Sequence, residues 1–107
     1  MPSDRGRRFN WFHRYWHDWP DVEQTVYEVA RAHARYLGYE VYGIGGMAPP
    51  PGDLRDVGPV VRVRVTVFRR NARHLTQTLA VDVERQAGKL HVKTATIINL
   101  DSTTPGA

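Results

Sequence analysis

The chain of 107 residues contains no cysteine, only two lysines and no long apolar run. The absence of cysteine excludes disulfides, thiolate nucleophiles and cysteine-based zinc sites, and it fits a reducing compartment such as the cytoplasm. No segment approaches the roughly 20 apolar residues of a membrane-spanning helix. The beginning of the chain is charged and then aromatic, without the aliphatic centre of a signal peptide. We therefore expect a cytoplasmic protein with no membrane span.

The composition is that of a globular domain, with 41% hydrophobic and 24% charged residues. A chain of this length forms one domain with a modest core. Fifteen basic residues against eleven acidic ones give a net charge of +4. This balance favours polyanionic partners, although an arginine-rich composition also arises from a GC-rich coding sequence.

The chain divides into three segments by composition. Residues 1–17 are predicted to form a basic and aromatic arm, because they combine arginines with closely spaced aromatic rings. Residues 18–100 are predicted to form a single α+β domain. Residues 101–107 are polar and contain proline and glycine, so they are predicted to be a flexible tail.

One long helix is the clearest local prediction. Asp18 or Trp19 can cap its N-terminus, and Pro20 fits the first turn, where the missing N–H has no cost. Gly38 after Leu37 is a typical helix stop. The residues expected to face the core recur at helical spacing, and they are Val22, Val26, Val29, Ala30, His33 and Leu37.

Four strands follow from the rest of the domain. A short strand is predicted at residues 39–44, before a stiff connection at residues 47–59 that holds four prolines and two glycines and should contain no strand or helix. Three alternating segments then predict an antiparallel meander. Their inward-facing residues are Val61, Val63, Val65, Val67, Leu79, Val81, Val83, Leu90, Val92, Ile98 and Leu100.

The predicted fold class is α+β, with one long helix packed on a four-stranded antiparallel sheet and a short aromatic N-terminal helix or arm. The order of helix, strand, long loop and three-stranded meander resembles the element order of cystatin-like folds. Centring the hairpins on residues 72–73 and 87–88 places opposite charges across neighbouring strands, which favours that register. In the second hairpin Glu84 is expected opposite His91, and Asp82 opposite Lys93. In the first hairpin Asp82 is expected near Arg64, and Glu84 near Arg62.

The aromatic segment is the most unusual feature of the sequence. Tryptophan and tyrosine are enriched at protein interfaces, where they act as buried anchors. The segment either covers part of the sheet or docks onto a protein partner or a second copy of the chain. The leading hypothesis is a non-enzymatic interaction or assembly module, a small subunit of a homo- or hetero-oligomeric complex. Its expected anchors are Phe9, Trp11, Phe12, Tyr15, Trp16 and Trp19.

A second hypothesis is nucleic-acid binding. Arginines near the tip of the first hairpin and in the N-terminal arm could neutralise phosphates, while neighbouring rings stack on bases. The alternative interpretation is an ordinary solvated hairpin tip. The candidate residues are Arg5, Arg7, Arg8, Arg69, Arg70 and Arg73.

A third hypothesis is a small-ligand binder or enzyme with a cup between helix and sheet around His33, with polar groups from Glu40 and Tyr42. The alternative interpretation of His33 is a residue at the edge of the core. His13 and His17 have the spacing of a metal-binding pair, but the glutamate of a metalloprotease motif is missing. The glycines of residues 43–46 are followed by prolines rather than by the helix that a phosphate loop requires. We therefore expect no metal and no cofactor.

Overall fold

The computed structural model describes residues 4–98, with side chains from residue 10 onward. Its four strands form one antiparallel sheet in the order β1-β2-β3-β4, with the long helix packed against it. This confirms the predicted α+β fold class. The elements are α1 (Asp4–Trp16), α2 (Trp19–Tyr36), β1 (Glu40–Ala48), α3 (Leu54–Val57), β2 (Val60–Arg69), β3 (Ala72–Gln86) and β4 (Lys89–Ile98).

The boundaries of α2 agree with its sequence signals. Asp18 occupies the N-cap position and Pro20 lies in the first turn. The helix ends at Tyr36, and Gly38 follows with a φ of +93°, in the left-handed region that favours glycine. The Asp18 side chain makes no capping hydrogen bond, so the signals that agree with the ends of this helix are the positions of Asp18, Pro20 and Gly38.

The face of α2 that contacts the sheet differs in part from the prediction. Val26, Ala30 and Ala34 are its fully buried residues, at a spacing of four. Leu37 was expected in this stripe, but it lies beyond the end of the helix and 38% of its surface is exposed. His33 is only half-buried. Small alanines on the contact face allow α2 to lie close to the sheet.

The core lies between the helices and one face of the sheet. The alternation predicted for β2 is confirmed, because every second residue from Val61 to Val67 is fully buried in the core. In β3 the predicted inward residues are buried, but Ala80 and Asp82 between them are buried as well. Trp11 and Trp16 belong to the same core, although the sequence places them in a separate arm. The buried strand residues are Val61, Val63, Val65, Val67, Leu79, Val81 and Val83.

The first strand and the proline-rich connection both differ from the prediction. Strand β1 runs to Ala48 rather than ending near residue 44, because two bulges, at Val41/Gly43 and Ile44/Gly46, absorb the glycines without breaking the pairing. The connection contains the short helix α3. Its N-cap is Asp53, whose carboxylate accepts the backbone N–H of Arg55 at 2.9 Å.

The register of the first hairpin differs from the predicted one. Its turn lies at residues 70–71, earlier than expected, since Arg69 pairs with Ala72. A register shift between Val67 and Arg69 follows the turn. Beyond this shift Asp82 lies opposite Arg62 and not Arg64, and Glu84 lies opposite Val60 and not Arg62. The residues expected near each other, Arg64 with Asp82 and Arg62 with Glu84, are therefore two residues away from directly opposite positions.

The second hairpin is confirmed at its turn and differs further along. Ala87 and Gly88 have positive φ values of 53° and 78°, as a two-residue type I′ turn requires. Glu84 lies opposite His91 as predicted, with 2.9 Å between Oε1 and Nε2. A bulge then makes Lys93 the extra residue and places Thr94 opposite Asp82. The predicted Asp82–Lys93 pair was therefore wrong.

The same bulge changes which residues of β4 face the core. After it, Ala95 and Ile97 pack against the core, opposite Val81 and Leu79. Ile98 was predicted to face inward, but it lies opposite Thr78 on the other face. Leu100 lies outside the described residues.

Arg85 joins the turn between α1 and α2 to the sheet. Its guanidinium donates to the two carboxylate oxygens of Asp18, at 3.0 and 3.3 Å, and to the carbonyl of Tyr15 at 3.4 Å. It also lies over the ring of Trp16, 4.7 Å from the centroid. The hydrogen bonds from Arg85 hold the pKa of Asp18 below its ordinary value.

We expect Asp18→Asn to lower the melting temperature at neutral pH and to have little effect in acid. A carboxylate whose pKa is lowered by folding stabilises the protein above its unfolded pKa of about 3.9, and this contribution is lost as the pH falls through the lowered value. Thermal unfolding of both proteins over a pH series measures the difference. Asp56→Asn, at an exposed carboxylate away from this contact, is the control. A difference that does not shrink in acid would contradict the assignment.

Candidate functional site

An open cleft of about 600 Å³ lies between α1 and the segment around α3. One wall comes from a single face of α1, and the other comes from the residues that follow the prolines. The lining residues are Asn10, Trp11, Arg14, Tyr15, Gly52, Asp53, Leu54 and Arg55.

Trp11 fixes the relation between the two walls. Its indole Nε1 donates to the carbonyl of Gly58 at 2.9 Å, and only 5% of the residue is exposed. Gly58 has a φ of +67°, which a residue with a side chain rarely adopts. The cleft is therefore held open between two elements that a buried hydrogen bond keeps in place.

The charges around the cleft are mainly positive. Arg14 is exposed on the α1 wall. On the opposite wall Arg55 donates to the carboxylate of Asp53, with 2.7 Å from Nη2 to Oδ2 and 3.1 Å from Nε to Oδ1. The hydrogen bonds to Asp53 raise the pKa of Arg55. Two guanidinium groups thus face the cleft with one carboxylate.

The predicted aromatic anchors have different environments. Trp11 and Trp16 are buried in the core of this chain, so they support the interpretation in which the segment covers the sheet. Phe12 and Trp19 are half-buried and pack edge-to-face, with 5.3 Å between ring centroids. Tyr15 is half-buried and lines the cleft. The side chain of Phe9 lies outside the described residues.

The arginines of the first hairpin do not form a free cluster. The guanidinium of Arg69 lies 4.1 Å from the ring centroid of Tyr39. Arg70 forms an ion pair with Glu40, with 3.0 Å between Nη2 and Oε1, whereas Arg73 is exposed. The side chains of the arm candidates lie outside the described residues, and these are Arg5, Arg7 and Arg8.

The residues proposed for a cup around His33 line neither this cleft nor a smaller cavity beneath Pro50 and Pro51. His33 lies beside Tyr36, with 5.7 Å between ring centroids. Glu40 is paired with Arg70, and 76% of Tyr42 is exposed. The alanines of α2, rather than His33, occupy the helix face on the sheet, which accounts for this placement.

A second cavity of about 190 Å³ lies on the open face of the sheet, beneath Pro50 and Pro51. Asp82 lines it and is only 7% exposed. Its carboxylate accepts hydrogen bonds from Arg62 Nε at 2.8 Å, Arg62 Nη2 at 3.2 Å and Thr94 Oγ1 at 2.8 Å. The hydrogen bonds to Asp82 raise the pKa of Arg62. This carboxylate has a structural role, since its oxygens are already bound.

His13 and His17 are both exposed on or next to α1. Within residues 10–98 no three histidine, aspartate or glutamate side chains lie close enough together to hold a metal ion.

The glycines of residues 43–46 lie inside β1. None of the helices in the described part of the chain is long and apolar enough to cross a membrane.

Sequence reasoning identified Trp11 and Tyr15 but missed the other residues of the cleft. Asn10 and Arg14 are four residues apart, as are Trp11 and Tyr15, so helical spacing could have suggested them. Residues 52–55 carried no comparable signal, because their contact with α1 is distant in sequence.

No protein-family model, curated protein or solved structure matches the chain.

Proposed function

We propose that this protein is a non-enzymatic interaction module that binds an acidic segment of a protein partner in the cleft between α1 and α3. The observation that supports this proposal most directly is that the exposed Arg14 and the half-buried Tyr15 line the same open cleft. Tyrosine and arginine are among the residues enriched at protein interfaces. A volume of about 600 Å³ lies within the usual range of binding sites.

The charge of the cleft favours an acidic partner. A carboxylate from the partner can pair with Arg14, since arginine forms two parallel hydrogen bonds with a carboxylate. An apolar side chain of the same segment can rest on Tyr15 and Leu54. The net charge of +4 also favours encounter with an acidic surface.

The nucleic-acid alternative has less support, because Arg69 and Arg70 already have partners within the chain. Membership of a homo- or hetero-oligomeric complex and a cytoplasmic location, both expected from the sequence, remain part of the proposal. These two expectations concern the location and the partners of the protein in the cell, whereas binding in the cleft can be measured on the purified protein.

The test is a titration of isotope-labelled protein with synthetic glutamate-rich peptides that each contain one leucine or phenylalanine, followed by NMR. We expect chemical-shift changes at the backbone amides of Asn10, Tyr15, Leu54 and Arg55. Arg14→Glu should weaken binding at least tenfold, because about 1.4 kcal/mol corresponds to a factor of ten and a charge reversal removes at least one ion pair. Peptides with glutamine in place of glutamate should bind more weakly.

Arg73→Glu is the matched control variant, since Arg73 is also an exposed arginine and lies at the hairpin tip rather than in the cleft. It should keep the affinity of the unmodified protein. The proposal fails if none of the acidic peptides shifts the resonances of the cleft. A parallel titration with single-stranded DNA that shifts residues 69–74 instead would favour the nucleic-acid alternative.

A further inference from the structure

The two edge strands of the sheet, as far as residues 4–98 describe it, differ in how well they are protected. Strand β1 has two bulges and three glycines, which interrupt its outer edge. Strand β4 has Lys89, Lys93 and a bulge in its first half only. Its second half, Thr94–Ile98, continues in regular pairing with β3 and contains no charged residue.

The segment Thr94–Ile98 has the properties of a strand that can accept another strand. Four of its five residues are β-branched, a type that favours extended pairing. An edge strand presents a row of backbone donors and acceptors without strand partners. On the helix side, Ala95 and Ile97 pack against the core but remain half-exposed, so a neighbouring strand would bury them further.

We propose that a second copy of this chain pairs antiparallel along Thr94–Ile98, with the two-fold axis at Thr96. Directly opposite residues of antiparallel strands point to the same face, so the helices of both copies lie on one side only if even-numbered residues face even-numbered ones. The axis at Thr96 satisfies this condition. It places Ala95 opposite Ile97 of the second copy and Thr94 opposite Ile98.

The position of Lys93 in β4 favours a two-fold axis at Thr96 over one at Ala95. An axis at Ala95 would set Lys93 opposite Ile97 and bring the bulge into the new ladder. With the axis at Thr96, the two copies of Lys93 are six residues apart along the pair, or about 20 Å at roughly 3.3 Å per residue. Their repulsion is then weak at physiological ionic strength, because the distance exceeds a Debye length of about 8 Å.

The product is a continuous eight-stranded sheet in which the cores of two copies meet at β4. No residue of Thr94–Ile98 lines the cleft between α1 and α3. Self-association and binding of an acidic peptide therefore use separate surfaces. Either property can be present when the other is absent, and this separates the two tests.

The experiment measures the mass of the full chain and the cross-linking of single-cysteine variants. We expect light scattering to give twice the 12.2 kDa of one chain. Since the chain has no cysteine, Thr96→Cys introduces one thiol, and mild oxidation should link the two copies. Residues opposite each other at the axis have Cα atoms about 4.5–5.5 Å apart, within the roughly 4.4–6.8 Å that a disulfide spans.

Thr94→Cys and Thr76→Cys are the matched controls, because both threonines are exposed on strands of the same sheet. In the proposed dimer the two copies of Thr94 are about 13 Å apart, at roughly 3.3 Å per residue, too far for a disulfide. A monomer at all concentrations would overturn the proposal. A dimer in which Thr96→Cys does not cross-link, or in which a control cross-links as readily, would overturn it as well.

Discussion

Trp16→Ala is expected to destabilise the fold by about 3–5 kcal/mol, the usual cost of removing a buried aromatic side chain. Trp16 is fully buried, packs edge-to-face on Trp19 with 5.9 Å between ring centroids, and lies beneath the guanidinium of Arg85. A domain of this size has a total free energy of unfolding of about 5–15 kcal/mol. Urea unfolding followed by circular dichroism measures the loss.

His17→Ala is the control, since this residue is adjacent but exposed. It should change the free energy of unfolding by less than about 0.5 kcal/mol. A loss below about 1 kcal/mol for Trp16→Ala would show that the aromatic segment is not part of the core. The same reasoning predicts that deletion of residues 1–17 unfolds the domain, so point variants test the function of the cleft more cleanly.

Asp82→Leu is expected to cost about 3 kcal/mol, near the lower end of the range for breaking a buried ion pair. The variant removes three hydrogen bonds, two from Arg62 and one from Thr94, and leaves a guanidinium with little access to water. The free energy of unfolding from urea titration measures the effect. The loss falls at the lower end because part of Arg62 remains exposed.

Glu84→Gln is the control for this prediction, because Glu84 lies on the same strand and forms a more exposed pair with His91. Its cost should stay below about 1 kcal/mol. The double variant Arg62→Met with Asp82→Leu should recover most of the stability, since two apolar side chains replace the buried pair. A double variant as unstable as Asp82→Leu alone would contradict this explanation.

The helix and the strands were predictable because their signals are local. Asp18, Pro20 and Gly38 mark the boundaries of α2 within a few residues of its ends, and alternating valines identify β2. Each signal reflects backbone chemistry or burial that acts over one element. The fold class followed from these elements and from the short connections between the last three strands.

The register between β2 and β3 was not predictable from local signals, because Arg62 and Arg64 are equivalent partners for Asp82 in the sequence. The structure distinguishes them by the register, in which Asp82 lies opposite Arg62 and Ala80 lies opposite Arg64. The residue opposite Arg64 on β1 is Gly46. A Cβ atom at Gly46, whose φ is +141°, would lie 2.9 Å from a guanidinium nitrogen of Arg64. Glycine therefore allows Arg64 to extend over β1, while Arg62 faces Asp82.

The cleft was only half predictable for a related reason. The aromatic segment stands out in composition, but composition does not show which rings face inward. That division depends on the hydrogen bond from Trp11 to Gly58, which connects residues 47 positions apart. Helical spacing alone could not reveal the wall that residues 52–55 contribute.

The long-range contacts of α1 have a consequence for the order of folding. Trp11 bonds to Gly58, which precedes β2, whereas Arg85 of β3 bonds to Tyr15 and to Asp18 in the turn after α1. The contacts that hold α1 are therefore complete only after residues from β3 have been synthesised. Until then, the rings of α1 that later join the core belong to a growing chain that lacks the strands they pack against. Such exposed aromatic surface is what chaperones bind and what promotes aggregation. The aromatic segment is thus the part of the nascent chain most in need of protection during translation.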